Sequence, residues 1–181
     1  MNPLTKKNAL APDINRIRKF TDSGREDRYP GILLLEDDPV DAELVQHILR
    51  HEGVIEKLDW VTDREEYLTA LETNHYDIVL SDYRIPGFDG MSALGLLREH
   101  TTETRFIFVS GGIGEELAII ALKGGANDYV LKDNLKRLAP AVNRAWNELK
   151  LARRHKQVED QLRQAEQRFQ YLVASSPTVI Y

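Results

Sequence analysis

Six side chains that could do chemistry each stand just after a short apolar run in this sequence. In chain order they are Glu36, Asp37, Asp38, Asp82, Ser110 and Lys132. If the apolar runs form neighbouring strands, these carboxylates crowd together and repel one another unless a divalent cation is bound. A site with oxygen donors alone favours Mg²⁺, which is held by one or two carboxylates and by phosphate oxygens of a substrate. The lysine and the hydroxyl both suit a phosphoryl group, so the set indicates phosphoryl transfer onto an aspartate.

Asp82 is the expected nucleophile, because it follows the central apolar run. It stands between the acidic residues 36–38 on one side and Ser110 and Lys132 on the other. Each residue alone has a plainer explanation. A single aspartate can cap a helix or a turn, a serine can form a turn and a lysine can be a solvated surface charge. The site hypothesis therefore depends on all of them meeting at one place.

The apolar runs predict an α/β fold. Strands are expected at residues 32–35, 58–61, 78–80, 106–109 and 129–131, and the segments between them have the apolar spacing of helices. Runs without polar alternation are typical of parallel strands covered on both faces, and residues 58–61 alternate like an edge strand. Asp38 before Pro39 predicts a helix start, and Pro140 is expected at the first position of the last helix. Ligands of such sheets bind at the carboxyl ends of the strands, where the six side chains stand.

Charge and composition exclude several function classes. Residues 31–146 carry 11 basic and 21 acidic side chains, so this acidic body is not expected to bind nucleic acid directly. The absence of cysteine excludes disulfides, thiolate metal sites and cysteine catalysis. No apolar stretch reaches the ~20 residues of a membrane span, and the N-terminus lacks the apolar core of a signal peptide. We therefore expect a cytoplasmic protein.

The two ends of the chain differ from the body. Residues 1–30 hold three prolines and few large apolar side chains, and we expect them to be disordered. After Trp146, apolar residues recur at alternating spacings of four and three, which predicts a linker helix over residues 147–172 that pairs with a second copy as a coiled coil. The seam comprises Leu151, His155, Val158, Leu162, Ala165, Phe169 and Leu172. The alternative is an amphipathic helix folded back on the same domain. His155 is expected to set register rather than to bind metal.

Three stretches of the sequence, LLLEDDPVDAELV, DIVLSDYRIPGFDGMSALGLLRE and FIFVSGGIGEELAIIALKGGANDYVLKD, resemble the receiver domain of two-component response regulators over residues 31–146. The resemblance implies a flavodoxin-like, doubly wound sheet of five parallel strands in the order 2-1-3-4-5. It implies that Asp82 accepts a phosphoryl group from a sensor histidine kinase or phosphotransfer protein. Its implied metal ligands are Glu36, Asp37, Asp82 and the backbone carbonyl of Arg84. Lys132 would pair with the phosphate, and Ser110 and Tyr129 would form the switch.

Departures from the family pattern leave some points open. The acidic pair could be Glu36 and Asp37 or Asp37 and Asp38, and we favour the first because Asp38 has a capping role. Asp133 stands where the family often has proline after the lysine, so a cis peptide there is in doubt, since it is costly without proline. Other hypotheses are a phosphorylation-independent scaffold and an aspartyl-phosphate phosphohydrolase. The phosphohydrolase would need an acid in place of Arg84. A flavin-binding domain would want a phosphate-cradling loop in place of the acidic residues 36–38.

The last residues resemble a further domain. RFQYLVASSPTVIY is similar to the entry into a PAS sensory domain, with residues 173–181 as its truncated start. This resemblance implies a fragment of a longer protein with an output module beyond Tyr181, such as a histidine kinase or a cyclic-dinucleotide enzyme. Signals would pass through the face of helix 4, strand 5 and helix 5 into the linker helix. We expect no stand-alone turnover from the receiver itself.

Overall fold

A computed structural model describes residues 29–111 and 115–175 of the chain. These residues include the five predicted strands and the predicted linker helix. The predicted disordered extension lies outside them except for its last two residues. Most of the predicted PAS-like start, residues 176–181, also lies outside them.

The fold prediction is confirmed by a five-stranded parallel sheet with helices between the strands. The sheet strands are β1 (Ile32–Leu35), β2 (Asp59–Val61), β3 (Ile78–Ser81), β6 (Arg105–Ser110) and β7 (Asp128–Leu131). They lie in the order β2-β1-β3-β6-β7, which is 2-1-3-4-5 when these five alone are counted. Every pairing among them is parallel. Strand β2 is at an edge, as its alternating pattern predicted.

The core forms two layers because successive side chains of a strand point to opposite faces. Ile32 and Leu34 pack into one apolar cluster, and Leu33 and Leu35 pack into the other. The helices that cover the faces are α1 (Pro39–His51), α2 (Arg64–Thr73), α3 (Gly90–His100), α4 (Glu115–Lys123) and α5 (Leu138–Ser175). A 3-10 turn, Lys132–Arg137, joins β7 to α5.

A small antiparallel hairpin follows β3 and was not predicted. Its strands are β4 (Arg84–Ile85) and β5 (Phe88–Asp89), with Pro86 and Gly87 at the turn. Gly87 has φ of +72°, which favours glycine because it has no Cβ. The hairpin matters because it begins two residues after Asp82.

Helix α5 has 38 residues and continues past the domain as the heptad pattern predicted. Leu149 is buried, whereas Leu151 and the other large apolar residues of the seam are exposed. The seam is therefore not folded back on the domain. The placement of Pro140 was wrong, because it is the third residue of α5 rather than the first. Proline is tolerated there because the first four N–H groups of a helix have no acceptor within it.

Candidate functional site

The register of the central strands brings Glu36 and Asp82 together. Leu35 pairs with Ser81 across β1 and β3, so the residue after each strand emerges at the same edge. The backbone N–H of Asp82 donates to the carbonyl of Leu35 at 2.9 Å. Helix α1 starts at once after the acidic run, because Asp38 accepts from the Val40 N–H at 2.8 Å and Pro39 occupies the first helical position. The predicted capping role of Asp38 is thus confirmed.

Glu36, Asp37 and Asp82 form the acidic group of the site. One carboxylate oxygen from each lies within 4.8 Å of the others, so all three could hold a single ion. Glu36 is only 1% exposed and Asp82 is 9% exposed, whereas Asp37 faces solvent. Burial raises the pKa of Glu36 from 4.5 to about 7, and the ammonium of Lys132 opposes this rise. A group of three carboxylates, two of them buried, fits Mg²⁺, which would add positive charge beside that of Lys132.

The Lys132 ammonium lies among the carboxylates. Its Nζ is 2.8 Å from Glu36 Oε2, 2.8 Å from Asp82 Oδ2 and 2.6 Å from Asp41 Oδ2. Burial alone would lower the pKa of Lys132, but hydrogen bonds to these carboxylates outweigh it and raise the pKa. Lys132 is therefore a fixed positive charge beside Asp82. All described peptide bonds are trans, including that between Lys132 and Asp133.

The other oxygen of Asp82 faces the backbone of the following residues. Asp82 Oδ1 accepts from the Tyr83 N–H and, at 3.3 Å, from the Arg84 N–H. The β4–β5 hairpin fixes this loop, because the Gly90 N–H donates to the Tyr83 carbonyl at 2.9 Å. Arg84 thus stands directly beside the acidic group, with its side chain exposed. The role of its carbonyl as a metal ligand stays a prediction.

Ser110 and Tyr129 lie at the β6–β7 side of the site. Ser110 ends β6, pairs with Leu131 and is 1% exposed. Tyr129 is 8% exposed, and its ring centroid lies 6.4 Å from that of Phe108. Burial raises the pKa of the Tyr129 hydroxyl, and the nearby Ser110 hydroxyl opposes this rise. Tyr129 occupies an inward position in this structure, next to the expected switch serine.

Two residues of the site were missed from the sequence. Asp41 contacts Lys132 from the first turn of α1, and Trp60 donates from Nε1 to the Glu36 carbonyl at 2.8 Å. A signal for Asp41 was present, since it lies in the first turn of the predicted helix, where side chains tilt back toward the helix start and the strand ends. For Trp60 no sequence signal was available beyond its place on a predicted edge strand.

The domain is a flavodoxin-like α/β fold, with the acidic group at the carboxyl edge of its sheet and a lysine beside Asp82. The model for "Response regulator receiver domain" matches residues 32–143. The chain belongs to this family and is a receiver domain of two-component response regulators. The resemblance inferred from the sequence motifs is confirmed to that extent.

The curated relatives reported below match a little more than half of the chain. The chain is 35% identical over 102 residues to the transcriptional activator protein IrlR of Burkholderia pseudomallei, covering 56% of this chain and 43% of that protein. It spans less than half the length of this relative. A receiver domain of a Francisella response regulator is 29% identical, covers 66% of this chain and 98% of its own, and has a TM-score of 0.59.

One similar structure contains a metal ion. The receiver domain of sensor histidine kinase PA1611 from Pseudomonas aeruginosa has magnesium coordinated in its active-site cleft. It is 27% identical, covers 65% of this chain and 98% of its own, and has a TM-score of 0.53. No helix within residues 29–111 or 115–175 is both long and apolar enough to cross a membrane.

Proposed function

We propose that this receiver accepts a phosphoryl group on Asp82 from a phosphohistidine of a sensor histidine kinase or phosphotransfer protein. The observation that carries the proposal is the meeting of Glu36, Asp37 and Asp82 around one point, with Lys132 Nζ 2.8 Å from Asp82. A carboxylate nucleophile that attacks an anionic phosphoryl group needs positive charge on both reactants more than it needs acid–base help. Lys132 and a bound cation would meet that need.

The metal we assign to the site is Mg²⁺. Glu36, Asp37, Asp82 and the Arg84 carbonyl would hold it, and when bound it would neutralise charge on the phosphoryl oxygens. Glu36 supports the assignment, because burial raises its pKa even with the Lys132 ammonium 2.8 Å away, and a neighbouring cation would further stabilise its carboxylate.

The transfer itself makes one bond and breaks one. A carboxylate oxygen of Asp82 attacks the phosphorus, the bond from phosphorus to the donor imidazole nitrogen breaks, and the imidazole leaves with the electron pair. Lys132 balances the charge of the phosphoryl group on Asp82, and Ser110 donates its hydroxyl to the same group. Hydrolysis of the acyl phosphate later returns Asp82 to its free carboxylate.

The signal would pass from Ser110 to Tyr129. A Ser110 hydroxyl drawn toward the phosphoryl group leaves room beside Tyr129, which favours the buried ring position over an exposed one. Phosphorylation would therefore shift a population rather than create a new conformation. The surface affected is the face made by α4, β7 and α5, where Ile119, Ile120 and Leu131 are exposed.

Helix α5 would carry the signal outward to a second copy of the chain. With 3.6 residues per turn, the seam that begins at Leu151 lies on the opposite side of α5 from Leu149, which packs into the domain. Ion pairs of Arg153 with Asp77 at 2.7 Å and of Lys156 with Glu103 at 3.0 Å hold the domain side of the helix. Two helices could thus pair with their receivers on the outside.

The proposal also covers the cellular location of the protein and the domains that would follow the receiver. We place the chain in the cytoplasm, without direct contact with nucleic acid or membrane, and its linker helix before a PAS-like domain. The output module beyond would be a histidine kinase, a cyclic-dinucleotide enzyme or another effector. Charge supports the lack of direct nucleic-acid contact, since residues 31–146 carry 21 acidic against 11 basic side chains.

Phosphorylation by a small donor tests the proposal directly. Wild-type protein incubated with acetyl phosphate and Mg²⁺ is expected to gain one phosphoryl group in its intact mass, and to gain none when the metal is chelated. Asp82→Asn should gain none under either condition. Asp160→Asn, on an exposed turn of α5, is the matched control and should behave as wild type. Equal phosphorylation of Asp82→Asn and wild type would refute the assignment.

A further inference from the structure

Three carboxylates surround the ammonium of Lys132, but only two of them belong to the acidic group that fits a metal. Glu36 and Asp82 are members of that group, whereas Asp41 is not. Asp41 nevertheless makes the shortest of the three contacts, at 2.6 Å from Nζ. An ammonium has three N–H donors, so three acceptors account for its whole hydrogen-bonding capacity.

The position of Asp41 is fixed independently of the metal. It lies in the first turn of α1, whose start is held by the Asp38 cap and by Pro39. The Asp41 side chain is 34% exposed, so its carboxylate borders solvent while Lys132 is only 15% exposed. Asp41 thus approaches Lys132 from the rim, on a different element from Glu36 and Asp82.

A bound cation would change the partners of Lys132. The charge of the cation would offset the negative charge of Glu36 and Asp82, so the attraction of these two carboxylates for the ammonium would weaken. Asp41 would then be the remaining full negative charge in contact with Nζ. Its carboxylate would keep the ammonium beside Asp82 and leave the other two N–H donors free for phosphoryl oxygens. Holding a reacting group in place before the reaction removes part of the entropic cost of transfer.

We propose that Asp41 is a positioning residue that holds Lys132 at the rim of the site for the incoming phosphoryl group. This inference rests on the proposed function, since it concerns the rate of phosphoryl transfer to Asp82. Asp41 is not one of the carboxylates that could hold the metal. It would act on the transferred phosphoryl group only through Lys132.

The test compares Asp41→Asn with Glu43→Gln. Both remove one carboxylate from α1 and keep the side-chain shape, and Glu43 is exposed with no role in the site. With acetyl phosphate as donor, Asp41→Asn should lower the rate constant of phosphorylation about tenfold, the size of one charge-assisted hydrogen bond. The dissociation constant for Mg²⁺, measured separately by titration, should stay within about twofold of wild type. Glu43→Gln should match wild type in both quantities.

A double-mutant cycle identifies the route of the effect. If Asp41 acts through Lys132, the same Asp41→Asn change in a Lys132→Gln background should alter the rate less than about twofold. An unchanged rate for Asp41→Asn, or an equal loss in both backgrounds, would overturn the inference while phosphorylation of wild type still supports the proposed function. A wild-type protein that takes up no phosphoryl group would overturn both.

Discussion

Burial raises the pKa of Glu36, and this shift predicts how the stability of the fold depends on pH. Because the folded pKa of about 7 lies above the ordinary 4.5, the folded state retains the proton more strongly. The stability that this proton contributes is complete below pH 4.5 and is lost as the pH rises through 7. In metal-free buffer we therefore expect the free energy of unfolding of wild type to fall relative to Glu36→Gln across this window, by on the order of 3 kcal/mol.

Urea unfolding of the two proteins at several pH values would measure that difference, and excess Mg²⁺ should reverse it in favour of wild type. A difference between wild type and Glu36→Gln that does not change between pH 4.5 and 8 would contradict the account of the acidic group.

At the residue scale, the sequence alone was sufficient to predict the positions of side chains at strand ends. The places of Glu36, Asp82 and Lys132 follow from parallel strands alone, because their ends share one edge of the sheet. The contacts of Asp41 and Trp60 could not be predicted in the same way. They depend on how α1 and β2 are oriented against the site, and that is set by packing between segments 24 or more residues apart in the chain.

At the element scale, the prediction concerns Gly90, which follows the β4–β5 hairpin and is the first residue of α3. A Cβ at this residue would lie 2.6 Å from the Asp82 carbonyl oxygen and 2.6 Å from Phe108 Cε1. Backbone atoms cannot yield as a flexible side chain does, so Gly90→Ala should destabilise the domain by about 1 to 3 kcal/mol. The phosphorylation rate should fall too, since the loop that presents Asp82 must shift.

Gly95→Ala provides the matched control for Gly90→Ala. It lies in the same helix, α3, and a Cβ there has no neighbour within 4 Å. Replacing a mid-helix glycine by alanine should raise stability by up to about 1 kcal/mol. Equal free energies of unfolding for the two variants would contradict the close approach at Gly90.

Elements were predicted well where the apolar pattern was continuous. The strand predicted at residues 32–35 has the same bounds as β1, and the other four have ends within one residue of the observed ends. The hairpin was missed because its strands have two residues each, too few for a periodic pattern, although Pro86 followed by Gly87 is a turn signal. Pro140 was misplaced because a 3-10 turn precedes α5 and moves the helix start closer to β7.

At the scale of the whole molecule, the exposed seam of α5 predicts a dimer in solution. Leu151, Val158 and Leu162 are each about 60% exposed or more, and a monomer would leave this stripe in water. Sedimentation equilibrium should give twice the chain mass of 20.7 kDa for wild type at micromolar concentrations. Leu162→Asp should shift the protein toward monomer, since it places like charges in the seam.

The control for this change is Gln167→Asp, which adds the same charge on the opposite side of α5 and should leave the mass unchanged. A monomeric wild type, or equal masses for Leu162→Asp and Gln167→Asp, would contradict pairing through the seam.

The heptad spacing predicted the seam from the sequence alone. The ion pairs of Arg153 with Asp77 and of Lys156 with Glu103 orient the seam away from the domain. They could not be predicted from the sequence, because the partners are distant along the chain.

The site of phosphorylation is the central claim, and chemical trapping identifies it most directly. After reaction with acetyl phosphate and Mg²⁺, borohydride reduces an aspartyl phosphate to homoserine, which tandem mass spectrometry of peptides can locate. We predict homoserine at position 82 and at no other acidic residue. A reduced residue at Glu36, Asp37 or Asp41 instead, or no reduced residue in wild-type protein, would contradict the account.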